Sequence, residues 1–169
     1  RSAGNIPGAM ALKVDPMVLV DLAKKVNPVA VISGTNGKTT TTNLVADCLQ
    51  TAGVPLYCNR EGNNLQSGIV TSLMLAPDTS KVVDAASAAQ APVGCFECDE
   101  MYTKYVLPRL RPHYFMLLNL FRDQLDRFGE IDRIQATIAE ALAKPPETTF
   151  VFNGDDPLCA AIADRIPNK

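Results

Sequence analysis

The stretch AVISGTNGKTTT, residues 30–41, decides the fold. An apolar, β-branched run ends at Ser33, glycines stand at positions 34 and 37, and four threonines follow Lys38. The apolar run predicts a short buried strand, the glycines a tight loop, and the residues from Lys38 onward a helix. A strand, a glycine loop and a helix in this order are the setting that a phosphate-binding loop requires.

The loop carries groups that bind phosphate. Gly34 and Gly37 let the backbone turn tightly and present its N–H groups, and the positive end of the following helix adds its dipole. Lys38 supplies a charge for β- and γ-phosphates, and the hydroxyl of Thr39 is placed to bind Mg²⁺. The phosphate-loop pattern G-x-x-x-x-G-K-[ST] requires glycine at position 32, but this chain has Ile32 there. The alternative is a glycine- and threonine-rich turn with an incidental lysine.

The rest of the chain alternates strand and helix patterns. Strands are predicted at 29–33, 54–58, 93–98, 114–120 and 148–153, and helices at 17–26, 38–53, 65–75, 101–110 and 131–143. The residues between 76 and 92 are interpreted as a surface connection with a short helix around 81–90. The alternation predicts a P-loop-containing α/β fold, one domain over 1–169, with a mainly parallel sheet and helices on both faces. The expected buried face of the helix at 38–53 comprises Leu44, Val45, Cys48 and Leu49.

Composition excludes several classes of function. A net charge of −2 provides no basic field for nucleic acid, and the sequence contains neither an apolar run of membrane-spanning length nor a signal peptide pattern. Five cysteines, an odd number scattered through apolar segments, are typical of a reduced, intracellular protein. Because the chain begins with Arg1 and not with Met, we expect it to be a piece of a longer protein.

An acidic segment, FECDE at 96–100, ends the third predicted strand. Ligands of an open parallel sheet bind at the carboxyl ends of its strands, and the glycine loop leaves its own strand at that end. Strand alternation places Glu97 and Asp99 on one side and Cys98 and Glu100 on the other. Glu97 is therefore the expected Mg²⁺ ligand, directly or through water. A solvated acidic turn is the alternative.

The segment after the fourth predicted strand begins at the same edge. Its candidates for contact with nucleotide, metal or substrate are Asn119, Arg122, Asp123, Gln124 and Asp126. For Arg122 and Asp126 an i,i+4 ion pair on a helix surface is the alternative.

Two other polar loops follow strands at this edge. The loop NREGNN at 59–64 is a candidate for an anionic substrate, and an ordinary polar loop is the alternative. Asn153, Asp155 and Asp156 are candidates for nucleotide contact, although capping of the next helix is the favoured role.

The sole histidine and a cysteine pair are assigned structural roles. His113 precedes its strand and is expected at the end of the sheet opposite the ligands, which excludes Ser–His and Cys–His nucleophile schemes. Cys95 and Cys98 have C-x-x-C spacing, but without a second pair they are expected to be packed thiols. The chemistry that remains is metal-assisted phosphoryl transfer.

Several motifs, taken in order, resemble the central ATP-binding domain of the Mur ligase family. They are GTNGKTT (34–40), ECDE (97–100), NLFRDQLDRFGEID (119–132) and NGDDP (153–157). FRDQLDR and the opening PGAMALKVDPMVLVDLA make the likeness greatest to the MurT subfamily, the ligase-like subunits of lipid II isoglutaminyl synthase. The resemblance covers nearly the whole chain and makes Ile32 an expected variant of the loop.

The resemblance implies an ATP-dependent ligase that activates a carboxylate as an acyl phosphate, which an amine attacks. In the MurT subfamily a glutamine amidotransferase subunit supplies ammonia, and the D-glutamate of the lipid II stem peptide becomes D-isoglutamine. The resemblance implies catalytic roles for Lys38 and Glu97, with Mg²⁺ held by Thr39 and Glu97. The implied ATP contacts are Gly34, Thr35, Asn36, Gly37, Lys38, Thr39, Thr40 and Asn119.

Two positions depart from the general Mur pattern and agree better with the MurT subfamily. Gln124 stands where peptide-forming Mur ligases commonly have a metal-binding histidine. No lysine precedes Lys144 in the stretch where many of them place a carbamylated lysine. A second Mg²⁺ site of the usual kind is therefore not expected.

The resemblance also implies parts that this chain lacks, namely a four-cysteine zinc insertion and a C-terminal domain. Zn²⁺ is expected only there, and this chain alone is expected to bind ATP weakly or not at all and to have no turnover. A cytoplasmic location follows, with lipid II met at the membrane surface. Two other functions stay open: another Mur-like carboxylate–amine ligase, such as a folylpolyglutamate synthetase, and a non-enzymatic nucleotide-binding or docking module.

Overall fold

The computed structural model describes residues 3–82, 90–121 and 130–166. The strands in these ranges are β1 (Val29–Ser33), β2 (Leu56–Cys58), β3 (Val93–Glu97), β4 (Tyr114–Leu117) and β5 (Thr149–Phe152). The α-helices are α1 (Ile6–Val14), α2 (Val18–Ala23), α3 (Lys38–Thr51), α4 (Gln66–Met74), α5 (Thr103–Leu110), α6 (Glu130–Leu142) and α7 (Pro157–Ala163). Within these ranges, every helix is too short or too polar to cross a membrane.

The strands form one sheet in the order β2-β3-β1-β4-β5, and each pair of neighbours is parallel. The prediction of an α/β fold with a mainly parallel sheet is therefore confirmed. β1 lies at the centre, with Ile32 opposite Glu97 of β3 and Ser33 opposite Leu117 of β4. The carboxyl ends of these three strands consequently meet at one edge, directly where the glycine loop begins.

Helices cover both faces of the sheet, as the sequence predicts. On one face, Ala46 of α3 packs with Ile32, Leu56 and Cys95. On the other face a larger core joins the strands to the remaining helices; its members include Leu19, Val31, Leu73, Phe96, Leu107, Phe115 and Ile138. Because successive residues of a strand point to opposite faces, Val31 and Ile32 belong to different cores.

The predicted buried face of α3 is wrong in two of its four positions. Leu44 is 63% exposed and Cys48 is also exposed, whereas the buried residues are Thr42, Ala46 and Gln50. The reason lies at the start of the helix, because Thr39 faces the end of β3 and fixes the rotation of α3 about its axis. Positions three and seven residues after Thr39 then face the sheet, and two polar residues are buried instead of two apolar ones.

The structure differs from the sequence interpretation at three other places. α1 is not predicted; it packs on α4, where the Gly8 N–H donates to Thr71 Oγ1 at 2.9 Å. β4 ends at Leu117 rather than at residue 120, because the chain turns there toward the glycine loop. In the connection after α4, Asp78 forms an antiparallel bridge with Leu56 and so covers the edge of β2. Most of the short helix expected around 81–90 lies outside the described residues.

Candidate functional site

The loop between β1 and α3 has the backbone that a phosphate cradle needs. Gly34 has φ of 137° and Gly37 has φ of 82°, both in the range that favours glycine. The chain enters α3 directly after Gly37, and the first full helical bond runs from the Thr41 N–H to the Gly37 carbonyl. The N–H groups of the first turn, from Lys38 to Thr40, have no acceptor within the helix. The start of α3 therefore has the backbone geometry that the predicted anion site requires, and anion binding itself stays a prediction.

Asn119, at the end of the β4 segment, fixes the shape of the loop. The Asn36 N–H donates to Asn119 Oδ1 at 2.9 Å, and Asn119 Nδ2 donates to the Asn36 carbonyl at 3.0 Å. The Thr35 N–H donates to the main-chain carbonyl of Asn119 at 3.0 Å. Thr35 Oγ1 in turn accepts from the Phe121 N–H. Thr35, Asn36 and Asn119 thus hold the loop in place in this state, with their bonding groups turned to one another.

The Lys38 ammonium lies across the mouth of the loop. It donates to the Gly34 carbonyl at 2.5 Å and to the Thr35 carbonyl at 3.4 Å. It also forms an ion pair with Glu100, with Nζ and Oε2 3.5 Å apart and both side chains at least 86% buried. Glu100 is brought there by the 3-10 turn Glu100–Tyr102, which Asp99 caps through the Met101 N–H. Strand alternation alone, which separates Glu100 from Glu97, did not predict this contact.

Thr39 and Glu97 are adjacent, as the sequence analysis expects of a Mg²⁺ site. Thr39 Oγ1 donates to Glu97 Oε2 at 2.7 Å, and Asn64 Nδ2 donates to Glu97 Oε1 at 3.1 Å. Glu97 is only 2% exposed. A hydroxyl and a carboxylate oxygen are hard donors of the kind that Mg²⁺ prefers, and their separation is close to the roughly 3 Å between neighbouring ligands of octahedral Mg²⁺ at 2.1 Å. The donor set therefore suits this ion.

No group of three or more His, Cys, Asp or Glu side chains in the described ranges is arranged as a ready-made metal centre. A site built from Thr39 and Glu97 is of another kind, because protein Mg²⁺ sites commonly use one or two side chains and take the remaining ligands from phosphates and water.

The loop at 59–64 supports the site through several hydrogen bonds, and its role in binding an anionic substrate stays a prediction. Asn59 and Asn64 both bond to Glu97. Arg60, its one cation, is held by α3: its guanidinium lies 2.9 Å from Asp47 Oδ1 and donates to Gln50 Oε1. Sequence reasoning missed these contacts. The available signal was that five of the six residues after β2, at 59–64, are polar and follow a strand end at the ligand edge.

Asp156 caps α7, so the favoured sequence interpretation is confirmed. Its carboxylate accepts from the N–H groups of Leu158, Cys159 and Leu120 at 2.8, 3.2 and 2.9 Å. Burial raises the pKa of Asp156, but these backbone bonds outweigh that effect and leave the pKa below its usual value. Because Leu120 follows β4, the cap also ties α7 to the ligand edge. Asp155 is exposed.

The thiols and the histidine lie where the sequence places them. Cys95 and Cys98 are fully buried in different cores, on opposite faces of the sheet, and do not share a site. His113 lies at the amino end of β1, where its Nδ1 accepts from the Val29 N–H.

Cys58 is a half-buried thiol opposite Cys95 in the β2–β3 pair. A hydrogen bond from the Cys95 thiol lowers the pKa of Cys58; burial opposes this, and the nearby Arg60 adds to the lowering. The same hydrogen bond and burial raise the pKa of Cys95. Cys58 thus has a lowered thiol pKa, whereas the pKa values of the buried cysteines Cys95, Cys98 and Cys159 are raised.

The predicted contacts of Arg122, Asp123, Gln124 and Asp126 lie outside the described residues. The structure brings together Gly34, Lys38, Thr39, Glu97 and Asn119 at one edge. It adds Glu100, which was not predicted at the site, and it gives Asn59 and Asn64, predicted only as part of a loop for an anionic substrate, contacts with Glu97. Thr40 is exposed on the first turn of α3.

Comparison with known proteins shows one family throughout. Residues 32–169 match the Mur ligase middle domain. The chain is 35% identical over 158 residues to lipid II isoglutaminyl synthase (glutamine-hydrolyzing) subunit MurT of Staphylococcus aureus strain N315, covering 94% of this chain and 34% of that protein. It is also 35% identical over 153 residues to the MurT subunit of Streptococcus pneumoniae strain ATCC BAA-255 / R6, covering 90% and 32% respectively.

Among solved structures, MurF from Acinetobacter baumannii has a similar fold, with a TM-score of 0.66 at 19% identity over 87% of this chain and 30% of that one. This likeness concerns the fold alone. The chain spans about a third of the length of the MurT relatives that it matches.

Proposed function

Because the chain belongs to the Mur ligase family and carries its middle domain, we propose that it is the ATP-binding part of an ATP-dependent carbon–nitrogen ligase of peptidoglycan synthesis. The reaction we propose is amidation of the D-glutamate carboxylate in the lipid II stem peptide to D-isoglutamine. One observation carries the ATP-binding part: Lys38 at the mouth of a glycine loop, beside the Thr39–Glu97 pair. The likeness to two MurT subunits supports the choice of substrate.

In this proposal the loop binds the phosphates of ATP. The Lys38 ammonium, which now donates to the Gly34 and Thr35 carbonyls, turns to the β- and γ-phosphates. The N–H groups from Gly37 to Thr40 donate to the oxygens of these phosphates, and the dipole of α3 favours their negative charge. Asn119 acts through the loop, since both ends of its amide bond to the Asn36 backbone.

Thr39 and Glu97 are proposed to hold Mg²⁺. Thr39 donates its hydroxyl proton to Glu97, and the lone pairs of the same oxygen remain for a cation. Mg²⁺ held by Thr39 and Glu97 would neutralise negative charge that develops on the transferred phosphoryl group. The Asn64 bond keeps the second oxygen of Glu97 fixed while the first meets the cation.

The chemistry we propose has two steps. A substrate carboxylate oxygen attacks the γ-phosphorus, ADP leaves, and an acyl phosphate forms. Ammonia from a glutamine amidotransferase subunit then attacks the acyl carbon, and inorganic phosphate leaves with formation of the amide. Lys38 and Glu97 act in the first step, by binding the transferred phosphoryl group and its cation.

We propose that the substrate and ammonia sites require parts of the longer polypeptide. The chain covers about a third of its MurT relatives, and the edge described above holds groups for phosphate and metal. On this basis the chain alone binds ATP weakly or not at all and turns nothing over. Zn²⁺, if the full protein holds it, belongs to those other parts. The proposed location is cytoplasmic, with lipid II at the membrane surface.

Two measurements test the proposal. The first is calorimetry of Mg-ATP binding to the longer polypeptide with wild-type Lys38, Lys38→Ala and, as the matched control, Lys24→Ala. Lys24 pairs with Asp21 on an exposed surface, so its loss is expected to leave binding unchanged. Tight binding that survives Lys38→Ala would refute the phosphate loop.

The second measurement is isoglutamine formation in lipid II by the longer polypeptide together with its amidotransferase. Amidation that requires glutamine, ATP and Mg²⁺ is expected. Glutamate addition to a folate instead would identify a folylpolyglutamate-synthetase-like ligase, and nucleotide binding without any ligation would identify a docking module.

A further inference from the structure

Asn59 occupies the point at which β2 stops pairing with β3. The two strands run parallel up to the pair Cys58 and Cys95, and the chain then turns away into the loop at 59–64. Asn59 is the first residue after β2, and it is only 4% exposed. A buried asparagine at a strand end needs partners for its amide, because an unsatisfied buried polar group is costly.

The side chain of Asn59 finds its partners on the main chain of Glu97. The Glu97 N–H donates to Asn59 Oδ1 at 2.8 Å, and Asn59 Nδ2 donates to the Glu97 carbonyl at 2.9 Å. The next residue, Cys98, donates its N–H to the Ile32 carbonyl of β1. Because alternate residues of a strand bond to alternate neighbours, the Glu97 peptide groups face the side that β2 has left. The Asn59 amide replaces the missing strand there.

A third hydrogen bond of Asn59 holds the loop segment that contacts the carboxylate of Glu97. Asn59 Nδ2 also donates to the Asn63 carbonyl at 3.0 Å. Asn64, the next residue, donates to Glu97 Oε1 and accepts at its own carbonyl from the Asp99 N–H. Asn59 therefore fixes the main chain of Glu97 and also the loop that orients its carboxylate.

From these contacts we infer that Asn59 is a positioning residue for Glu97, and through Glu97 for the cation of the nucleotide site. The inference rests on the proposed function, because it concerns the cation assigned to Thr39 and Glu97. Asn59 touches neither of the two oxygens that would bind the cation. Asn59 bonds to the main chain of Glu97. The side chain of Glu97 in turn accepts the 2.7 Å hydrogen bond from Thr39 Oγ1.

Replacement of Asn59 by Ala removes three hydrogen bonds and leaves two buried peptide groups of Glu97 without their partner. The carboxylate is then free to leave the position at which it meets Thr39. Loss of a partner that orients a metal ligand typically lowers metal affinity by about 10- to 100-fold. We expect a change of this size in the Mg²⁺ concentration for half-maximal ATP binding, with binding of ATP in EDTA changed about twofold or less, since Lys38 and its loop are untouched.

The experiment uses the longer polypeptide that carries this chain. A fluorescent ATP analogue is bound at fixed concentration while Mg²⁺ is titrated, for wild type, Asn59→Ala and Asn43→Ala. Asn43 is the matched control, because it donates to the Arg60 carbonyl of the same loop at 3.3 Å and has no bond to Glu97. Amide hydrogen exchange of the segment 93–99 is measured in parallel, and thermal unfolding reports general destabilisation.

The expected pattern is specific to Asn59. In Asn59→Ala the Mg²⁺ midpoint rises and exchange at Glu97 becomes faster, whereas Asn43→Ala changes neither. Equal Mg²⁺ midpoints in the two variants, or unchanged exchange at Glu97 in Asn59→Ala, would overturn the inference.

Failure of Asn59→Ala to fold and failure of the wild type to bind ATP with Mg²⁺ can be told apart from failure of the inference. If Asn59→Ala does not fold, Asn59→Asp is used instead; it keeps the acceptor for the Glu97 N–H and loses both donations, so the same rise in midpoint is expected, and an unchanged midpoint contradicts the inference. If wild type shows no Mg²⁺-dependent ATP binding, the proposed function fails. The positioning of Glu97 is then decided by hydrogen exchange alone, which does not require a ligand.

Discussion

The buried ion pair at the mouth of the loop gives the sharpest prediction for stability. Lys38→Met keeps the aliphatic stem but removes the ammonium, and so leaves the Glu100 carboxylate without its cation at 11% exposure. Removal of one partner from a buried pair costs about 3–5 kcal/mol. Since Nζ and Oε2 are 3.5 Å apart, at the long end for such a contact, we expect the lower value, about 3 kcal/mol.

A double-mutant cycle isolates the pair. Glu100→Gln keeps the shape and removes the charge, so Lys38→Met/Glu100→Gln leaves no buried charge behind. We expect the double variant to lose only about 1 kcal/mol, so the coupling energy is about 2 kcal/mol plus whatever Glu100→Gln costs alone. Nucleotide binding should stay lost in the double variant, because the phosphate charge partner is missing in both.

The assay is urea unfolding of the chain followed by circular dichroism, since the sequence has no tryptophan. The control cycle uses Lys24 and Asp21, whose atoms are closer, at 2.6 Å, but whose side chains are 72% and 68% exposed. Exposed pairs contribute at most about 1 kcal/mol, so the closer pair is expected to couple more weakly. A coupling energy for Lys38 and Glu100 no larger than that of the control would refute the reasoning.

Three further predictions concern single groups. Thr42 Oγ1 is buried and has no hydrogen-bond partner among the described residues. Thr42→Val should therefore raise the free energy of unfolding in urea by about 1 kcal/mol. A lower free energy of unfolding in the variant would show that the hydroxyl is satisfied. The pKa of Asp156 is lowered in the folded state, so its stabilisation is present above the unfolded pKa of about 3.9 and is lost as pH falls through the folded pKa. Asp156→Asn should therefore destabilise at pH 7 and differ little from wild type in urea unfolding at pH 2. Because the pKa of Cys58 is lowered and that of Cys95 raised, iodoacetamide should label Cys58 before Cys95 at pH 7.5, as read by mass spectrometry, and earlier labelling of Cys95 would contradict this order.

The sequence predicts those parts of the fold that depend on local pattern. β1 is predicted at the residues where it is observed, since its β-branched run is bounded by Pro28 and Gly34. The rotation of α3 is not predictable in the same way. Its apolar residues suggest one face, but a contact between Thr39 and Glu97, 58 positions apart, decides another.

The same distinction between local pattern and tertiary contact applies to the residues of the candidate site. The placement of Lys38, Thr39 and Glu97 at one edge was predictable, because loop spacing and strand ends are local features of the sequence. The role of Asn59 was not predicted, because it depends on β2 ending opposite Cys95, two residues before Glu97 on β3. That mismatch in strand length is a property of the assembled sheet, and no periodicity within either segment reports it.

The charged side chains of the site pair with one another, and their net charge bears on what the site would accept. Lys38 contributes one positive charge, while Glu97 and Glu100 contribute one negative charge each, so these three side chains sum to −1. A metal-free nucleotide that displaces Lys38 from Glu100 meets two carboxylates in a buried place, where repulsion is poorly screened. Mg²⁺ brings two positive charges and makes the same sum +1. Under the proposed function, we therefore expect these charges to favour the nucleotide together with its cation over either one alone.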